Sequence, residues 1–275
     1  MKLYTTVEAV PSRLLGVIRL LTRCPQDLPR GEAITLLQPK ALASNADEAP
    51  DMAPKVFHAA LELGAIQEVQ NEKGEVCLRL AADLRDLAVK PDSSARIRQW
   101  MSRRVLHDLA MSTSKTLSNV FGWILSVPYD EIPVSQSAWK QRFKDDGLST
   151  EDFALNSDAR WSNVFDWARY FGLIWQTNPL KGTGVVADPS NFLEAFLVDL
   201  LEPHETEISG FLVRLQEEYP LFATRSASTA AIGPGLTLAL RALRERKRIA
   251  LWHRDDADRT SLLSDGEKVG WIRRL

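Results

Sequence analysis

Apolar residues recur along this chain at two spacings, the 3.6-residue period of an amphipathic helix and the two-residue period of a half-buried strand. The two follow one another in a repeated order. From Met52 to Gly64, Val56, Phe57, Ala60, Leu61 and Leu63 form one stripe, with Pro54 suited to a first turn and Gly64 to a helix stop. Two short alternating runs, AIQEVQ and EVCLRL, follow and are joined by NEKG, so the pattern predicts a helix and then a β-hairpin. Upstream, Leu14, Leu15, Ile18 and Leu21 share a face of a helix over 12–23, and a shorter helical stretch covers 32–42.

The order returns at Ser157–Gly172, where Ser157 or Asp158 caps a helix whose core face is Trp161, Val164, Phe165, Ala168 and Phe171. LIWQT and VVAD follow, separated by NPLKGTG, and helices over 95–107, 116–126 and 136–145 precede it. A third instance starts at Gly233 with a helix carrying Leu236, Leu238, Leu240 and Leu243, then the strand IALWHR. TSLLS, DGEK and VGWIRRL read as a hairpin turning at Asp265-Gly266. Its upstream helices lie over 191–201 and 206–219. The expected fold is mainly α with short β-hairpins, an α+β chain of tandem winged-helix units over 1–90, 91–188 and 189–275. The rival arrangement is a single α+β domain whose one mixed sheet collects all the strands.

In such units the last helix enters the major groove of DNA and the hairpin reaches the adjacent backbone or minor groove. The candidate contacts are Lys55, His58, Asn71 and Lys73 in the first unit, although Asp47, Glu48 and Asp51 crowd that helix entrance. In the second they are Arg160, Ser162, Asn163 and Arg169 on the helix and Lys181 in a Gly-rich wing. Arg and Asn suit bidentate reading of guanine and adenine edges. In the third they are Arg241, Arg244, Arg246, Lys247 and Arg248 at the helix end, with Lys268, Arg273 and Arg274 on the hairpin and tail. The plainer reading of each set is a solvated helix face, and cations at a helix C-terminus also complement its dipole.

Charge sharpens this picture. The net charge of the 275 residues is −2, yet the distribution is segregated. Seven acids face Arg214 alone between Glu194 and Glu218, whereas six basic residues face Glu245 alone between Arg241 and Arg254. Arg96, Arg98, Arg103 and Arg104 form a second basic cluster without an acid. Basic clusters on an acidic chain are the footprint of a directed polyanion contact. The eight tryptophans sit mostly at apolar-periodic positions and read as core.

No apolar stretch approaches the roughly 20 residues of a membrane span. Glu8, Arg13 and Arg19 interrupt any secretory signal, so the expected location is the cytoplasm. Cys24 and Cys77 are too few for a zinc cage and read as small apolar residues. No catalytic signature stands out: there is no Walker lysine, no Gly-x-Ser-x-Gly elbow and no His-Glu-x-x-His pair. The cluster His253 to Asp258 has residue types that suit a divalent metal, but a polar loop explains it more simply. The expectation is a non-enzyme without metal or cofactor.

Pro11-Ser12-Arg13-Leu14-Leu15-Gly16, the repeated helix-Gly-hairpin order and the chain length together resemble the DpdG-like proteins of bacterial islands that insert 7-deazaguanine derivatives into DNA and restrict foreign DNA. The resemblance implies a non-enzymatic helper in phage defence, acting on double-stranded DNA with ATPase, helicase or nuclease partners. It supplies no catalytic residue. The alternative is a winged-helix scaffold that docks the partner proteins of a multi-subunit complex.

Overall fold

A computed structural model of the chain describes residues 6, 8–24, 26–39, 52–90, 92–108, 117–133, 135–178, 183–201, 204–223, 231–254 and 261–275. In the first span α1 (Pro11–Arg23) opens on a proline, whose fixed φ suits a first helical turn, and buries Leu14, Val17, Ile18 and Leu21. A two-residue strand, β1 (Leu28–Pro29), leads into α2 (Arg30–Leu37), followed by α3 (Met52–Glu62), β2 (Ile66–Gln70) and β3 (Val76–Leu80). Gly64 turns the chain from α3 into β2 at φ +74, a left-handed conformation that costs glycine little. β2 and β3 pair from Ile66↔Leu80 to Gln70↔Val76, and β1 takes the other edge of β3 through Leu28↔Leu78, giving the order β1-β3-β2. The helix expected over 32–42 is Arg30–Leu37, and residues 40–51 lie outside the described ones.

Among the described residues, the chain after β3 holds no strand before Trp175. It runs through α4 (Ala82–Ala88) and α5 (Ser93–Arg103), a π-helical turn at Arg104–Asp108, α6 (Leu117–Ser126), α7 (Gln136–Asp145) and α8 (Asp158–Phe171). β4 (Trp175–Asn178) and β5 (Thr183–Val186) then pair antiparallel. The Ser157 hydroxyl accepts from the Arg160 N–H and fixes the start of α8. Trp123 meets Trp139, Phe143 and Trp161 edge-on at 4.9–6.3 Å between ring centres, an arrangement favoured by the ring quadrupoles.

The third span comprises α9 (Ser190–Leu200), β6 (Thr206–Glu207), α10 (Ile208–Glu218), α11 (Pro234–Glu245), β7 (Ile249–Trp252), β8 (Ser261–Leu262), β9 (Lys268–Val269) and β10 (Trp271–Arg274). Its sheet order is β6-β10-β7, so a short strand before α10 again flanks the last strand of the span. The hairpin read as TSLLS against VGWIRRL is divided. Only Ser261-Leu262 pairs with Lys268-Val269, while Trp271–Arg274 pairs with Ile249–Trp252. Buried Gly270 makes the crossing: its N–H donates to Trp252 and its carbonyl accepts from Ile208.

Among the described residues, strand pairing stays inside each span and helix packing crosses between them. Buried apolar side chains form one contiguous cluster from Ala9 to Ile272. The Trp167 indole N–H donates to the Ala9 carbonyl at 3.0 Å, tying α8 to the start of α1. Two glycines mark the closest approaches. A Cβ on Gly122 would stand 2.8 Å from the Leu221 carbonyl oxygen, and one on Gly235 would stand 2.9 Å from that of Leu125. α6 is thereby pressed between the 220–222 turn and α11.

Candidate nucleic-acid interface

The third unit carries the densest set of expected contacts, and the structure folds half of them, all at the end of α11, onto carboxylates of the same span. Glu267 accepts from Arg244 at 2.6 Å and from Arg241 at 2.9 Å, and Arg241 also pairs with Asp265. The hydrogen bond from Arg244 holds the Glu267 carboxyl below the usual carboxylate range. Glu194 binds Arg248 at 2.7 Å and Arg246 at 3.3 Å. Four of the expected phosphate contacts are therefore already paired with three acids. Lys247, Lys268 and Arg273 differ: all three are exposed, and none has an ion pair among the described residues. Lys247 occupies the turn after α11 with φ 57, Lys268 lies on β9 and Arg273 on β10.

α11 buries one face. Its Gly235, Leu236, Thr237, Ala239, Leu240 and Leu243 are buried, while Leu238, Arg241, Ala242 and Arg244 are partly exposed and Glu245 is exposed.

The second unit shows the same tendency. Asn163 is 1% exposed and donates to the Thr6 carbonyl at 3.1 Å, so its amide serves the core rather than the surface. Arg160 folds back on the preceding loop, donating to Asn156 Oδ1 at 2.8 Å and to the Ala154 carbonyl at 3.2 Å. Arg169 bridges Gln176 at 2.7 Å and Asp166 at 2.5 Å. Ser162 is exposed and lies 3.5 Å from Gln136 Oε1. Lys181 lies outside the described residues.

In the first unit Lys55 reaches Glu8 at 2.9 Å, and this bond lowers the Glu8 carboxyl. His58 is exposed on α3, 3.7 Å from Glu62. Asn71 is engaged within its own exposed turn. Its Oδ1 accepts the backbone N–H groups of Lys73 and Glu75, which shapes the β2–β3 turn and leaves the Lys73 side chain exposed at its tip.

Two features escaped the reading of single elements. Arg19 on α1 and Arg98 on α5 both lie near Tyr170, whose hydroxyl is nevertheless pushed up to about 12 by burial. Where β2 and α4 meet α5, a cavity of about 600 Å³ is lined by Gly64, Gln67, Asp83, Trp100, Arg103 and Arg104. The acid-free run Arg96 to Arg104 was its only trace in the sequence.

Among the described residues no group of three His, Cys, Asp or Glu side chains is placed to hold a metal ion, and no helix is long and apolar enough to cross a membrane. The segment 255–260, with most of the His253–Asp258 cluster, lies outside them. No curated protein and no solved structure matches the chain. A family model described as DpdG-like matches residues 1–257, almost the whole length, and on that match the chain belongs to the DpdG-like family.

Proposed function

We propose that the protein is a non-catalytic, DNA-binding helper of a bacterial DNA-modification or anti-phage system, built from winged-helix units over 1–90, 91–188 and 189–275 and acting beside other subunits. The observation that carries this reading is the shared topology of the first and third sheets. In each, a two-residue strand enters ahead of a helix and pairs with the last strand of the span, in the orders β1-β3-β2 and β6-β10-β7. Helix, edge strand, two helices and two closing strands is the chain order of a winged helix; the first span follows it, and the third adds the β8-β9 pair between its closing strands β7 and β10. Membership of the DpdG-like family supports the setting in DNA modification.

The geometry favours contact with the phosphate backbone over insertion of a reading helix. The cations at the end of α11 are engaged: Arg241, Arg244, Arg246 and Arg248 hold carboxylates. Among the expected contacts in the described residues, Lys73 and Lys247 at turns, Lys268 on β9 and Arg273 on β10 are exposed and hold no carboxylate. Backbone contacts of this kind position a protein on DNA without specifying sequence.

The same ion pairing favours a second reading, in which the units dock partner proteins. Charge reversal separates the two. Changing Lys247, Lys268 and Arg273 together to Glu is expected to weaken duplex binding at 50 mM salt by about two decades, on the scale of a few lost phosphate contacts. Unchanged retention of a DNA duplex by that variant would overturn the DNA-binding reading.

A further inference from the structure

We infer that the cavity between the first sheet and α5 is a binding site for single-stranded DNA, with one unpaired base on the Trp100 indole and the flanking phosphates on Arg103 and Arg96. The inference rests on the DNA-binding reading and gives it a second, separate surface. Four observations converge on it.

At about 600 Å³ the cavity lies within the range of small-molecule sites and has room for a nucleotide. It also sits at a seam between packed elements, where such sites concentrate.

Its aromatic wall is held in place. The half-buried Trp100 donates its indole N–H to Asp83 Oδ2 at 2.7 Å, while Asp83 Oδ1 accepts the N–H of Leu84 at 2.9 Å. Both carboxylate oxygens are thus engaged in orienting the ring, which then offers a π-face to any base.

Helical spacing carries the basic face from the cavity wall at Arg103 outward to Arg96, beyond the cavity. Arg96, Trp100 and Arg103 stand at i, i+4 and i+7 on α5 and share one face, running about 10 Å along the axis. A stacked strand carries a charge about every 3.4 Å, so the face matches roughly three nucleotides. Arg103 is 64% exposed, and its pair with Glu218 at 3.2 Å is of the surface kind that a phosphate can replace cheaply.

The floor is preorganised. Arg104 begins the π-helical turn, a distortion that recurs at functional sites. Its Nε donates to the Leu63 carbonyl at 3.0 Å, and its guanidinium passes so close to Gly64 that a Cβ there would lie 3.0 Å from Nη2. A duplex must unstack and unpair a base before it can offer it to a recessed indole, a cost of about a few kcal/mol that a single strand does not incur, so the ligand is a single strand.

The test uses the full chain with two fluorescent probes, a 20-nucleotide oligothymidine and a duplex of the same length, read by anisotropy at 50 mM salt. Trp100→Ala is expected to lower affinity for the single strand about tenfold or more, the scale of one lost base stack. Trp100→Phe, which keeps a ring, should retain most of that affinity. Arg96→Glu alters an exposed side chain outside the cavity, so it tests the site without disturbing the fold, and it should also weaken single-strand binding. Duplex affinity should stay within twofold for all three. Wild-type affinity for the single strand in both Trp100→Ala and Arg96→Glu would overturn the inference while leaving duplex binding standing. Failure of the wild-type chain to bind the single strand would overturn it as well, and the duplex probe reports separately on the broader reading.

Discussion

Replacing Glu267 by Gln removes one negative charge from the middle of the third unit's basic residues and should have opposite effects on stability and binding. In the folded chain Glu267 accepts from Arg244 at 2.6 Å and Arg241 at 2.9 Å. Arg241 keeps Asp265 when Glu267 is neutralised, so the substitution releases one guanidinium, that of Arg244. The carboxylate is 36% exposed, which limits the cost to the scale of a partly solvated pair, about 0.5–1 kcal/mol. A freed guanidinium that finds a phosphate steepens the dependence of log affinity on log salt by about 0.9. Near 100 mM salt that corresponds to a gain of roughly three- to tenfold in duplex affinity. Urea denaturation measures the first effect and anisotropy with a labelled duplex over 50–200 mM salt the second. A Glu267→Gln protein that loses stability but keeps wild-type affinity and salt slope would refute the argument that internal acids mask a DNA-facing surface.

Further outcomes follow from the packing. Asn163→Ala should cost about 1–3 kcal/mol by removing a buried donor from the Thr6 carbonyl, with duplex affinity unchanged; reduced affinity at full stability would make Asn163 a base reader after all. Gly122→Ala places a methyl 2.8 Å from the Leu221 carbonyl, and its overpacking cost of about 1–3 kcal/mol outweighs a helix-propensity gain of about 0.5–1 kcal/mol, so the urea midpoint should fall. Glu267, Glu8 and Asp27 all have carboxyls lowered by basic partners from ordinary values of 4.5, 4.5 and 3.8. Their stabilisation is full above those values and is lost as pH falls through the lower folded ones, so the melting temperature should drop steeply below about pH 4.5, less steeply in Glu267→Gln.

Much of the helical skeleton was legible because its stripes are long. Leu14, Ile18 and Leu21 on α1, or Trp161, Val164, Ala168 and Phe171 on α8, repeat often enough to outweigh local propensity, and both helices are buried along those faces. The β2–β3 hairpin was equally plain from alternation around NEKG. β1 and β6 were not, since two residues carry no period and exist as strands only because a distant strand bonds to them. The third hairpin forms about Asp265-Gly266 as expected, but its second arm extends onto β7 for the same reason. VGWIRRL alternates, but alternation does not say which neighbour it pairs with, and β10 chose β7.

The candidate surface was legible only in composition. The run Arg241 to Arg248 reads as an unpaired basic patch because its acids come from elsewhere, Glu194 from a helix some fifty positions earlier and Glu267 from beyond the next strands. Asn163 lies on a polar position of α8, yet the start of α1 covers it, a contact between residues 157 positions apart that no local pattern reveals. The cavity beside Trp100 combines three elements that are each unremarkable alone.

The salt dependence of duplex affinity in the full chain tests the central claim most directly. With Lys73, Lys247, Lys268 and Arg273 each meeting one phosphate, log affinity should fall against log salt with a slope of about −3.6, a loss of roughly a hundredfold between 50 and 200 mM. A duplex affinity that stays flat over that range, or no binding at 50 mM, would contradict it and leave these units as surfaces for proteins.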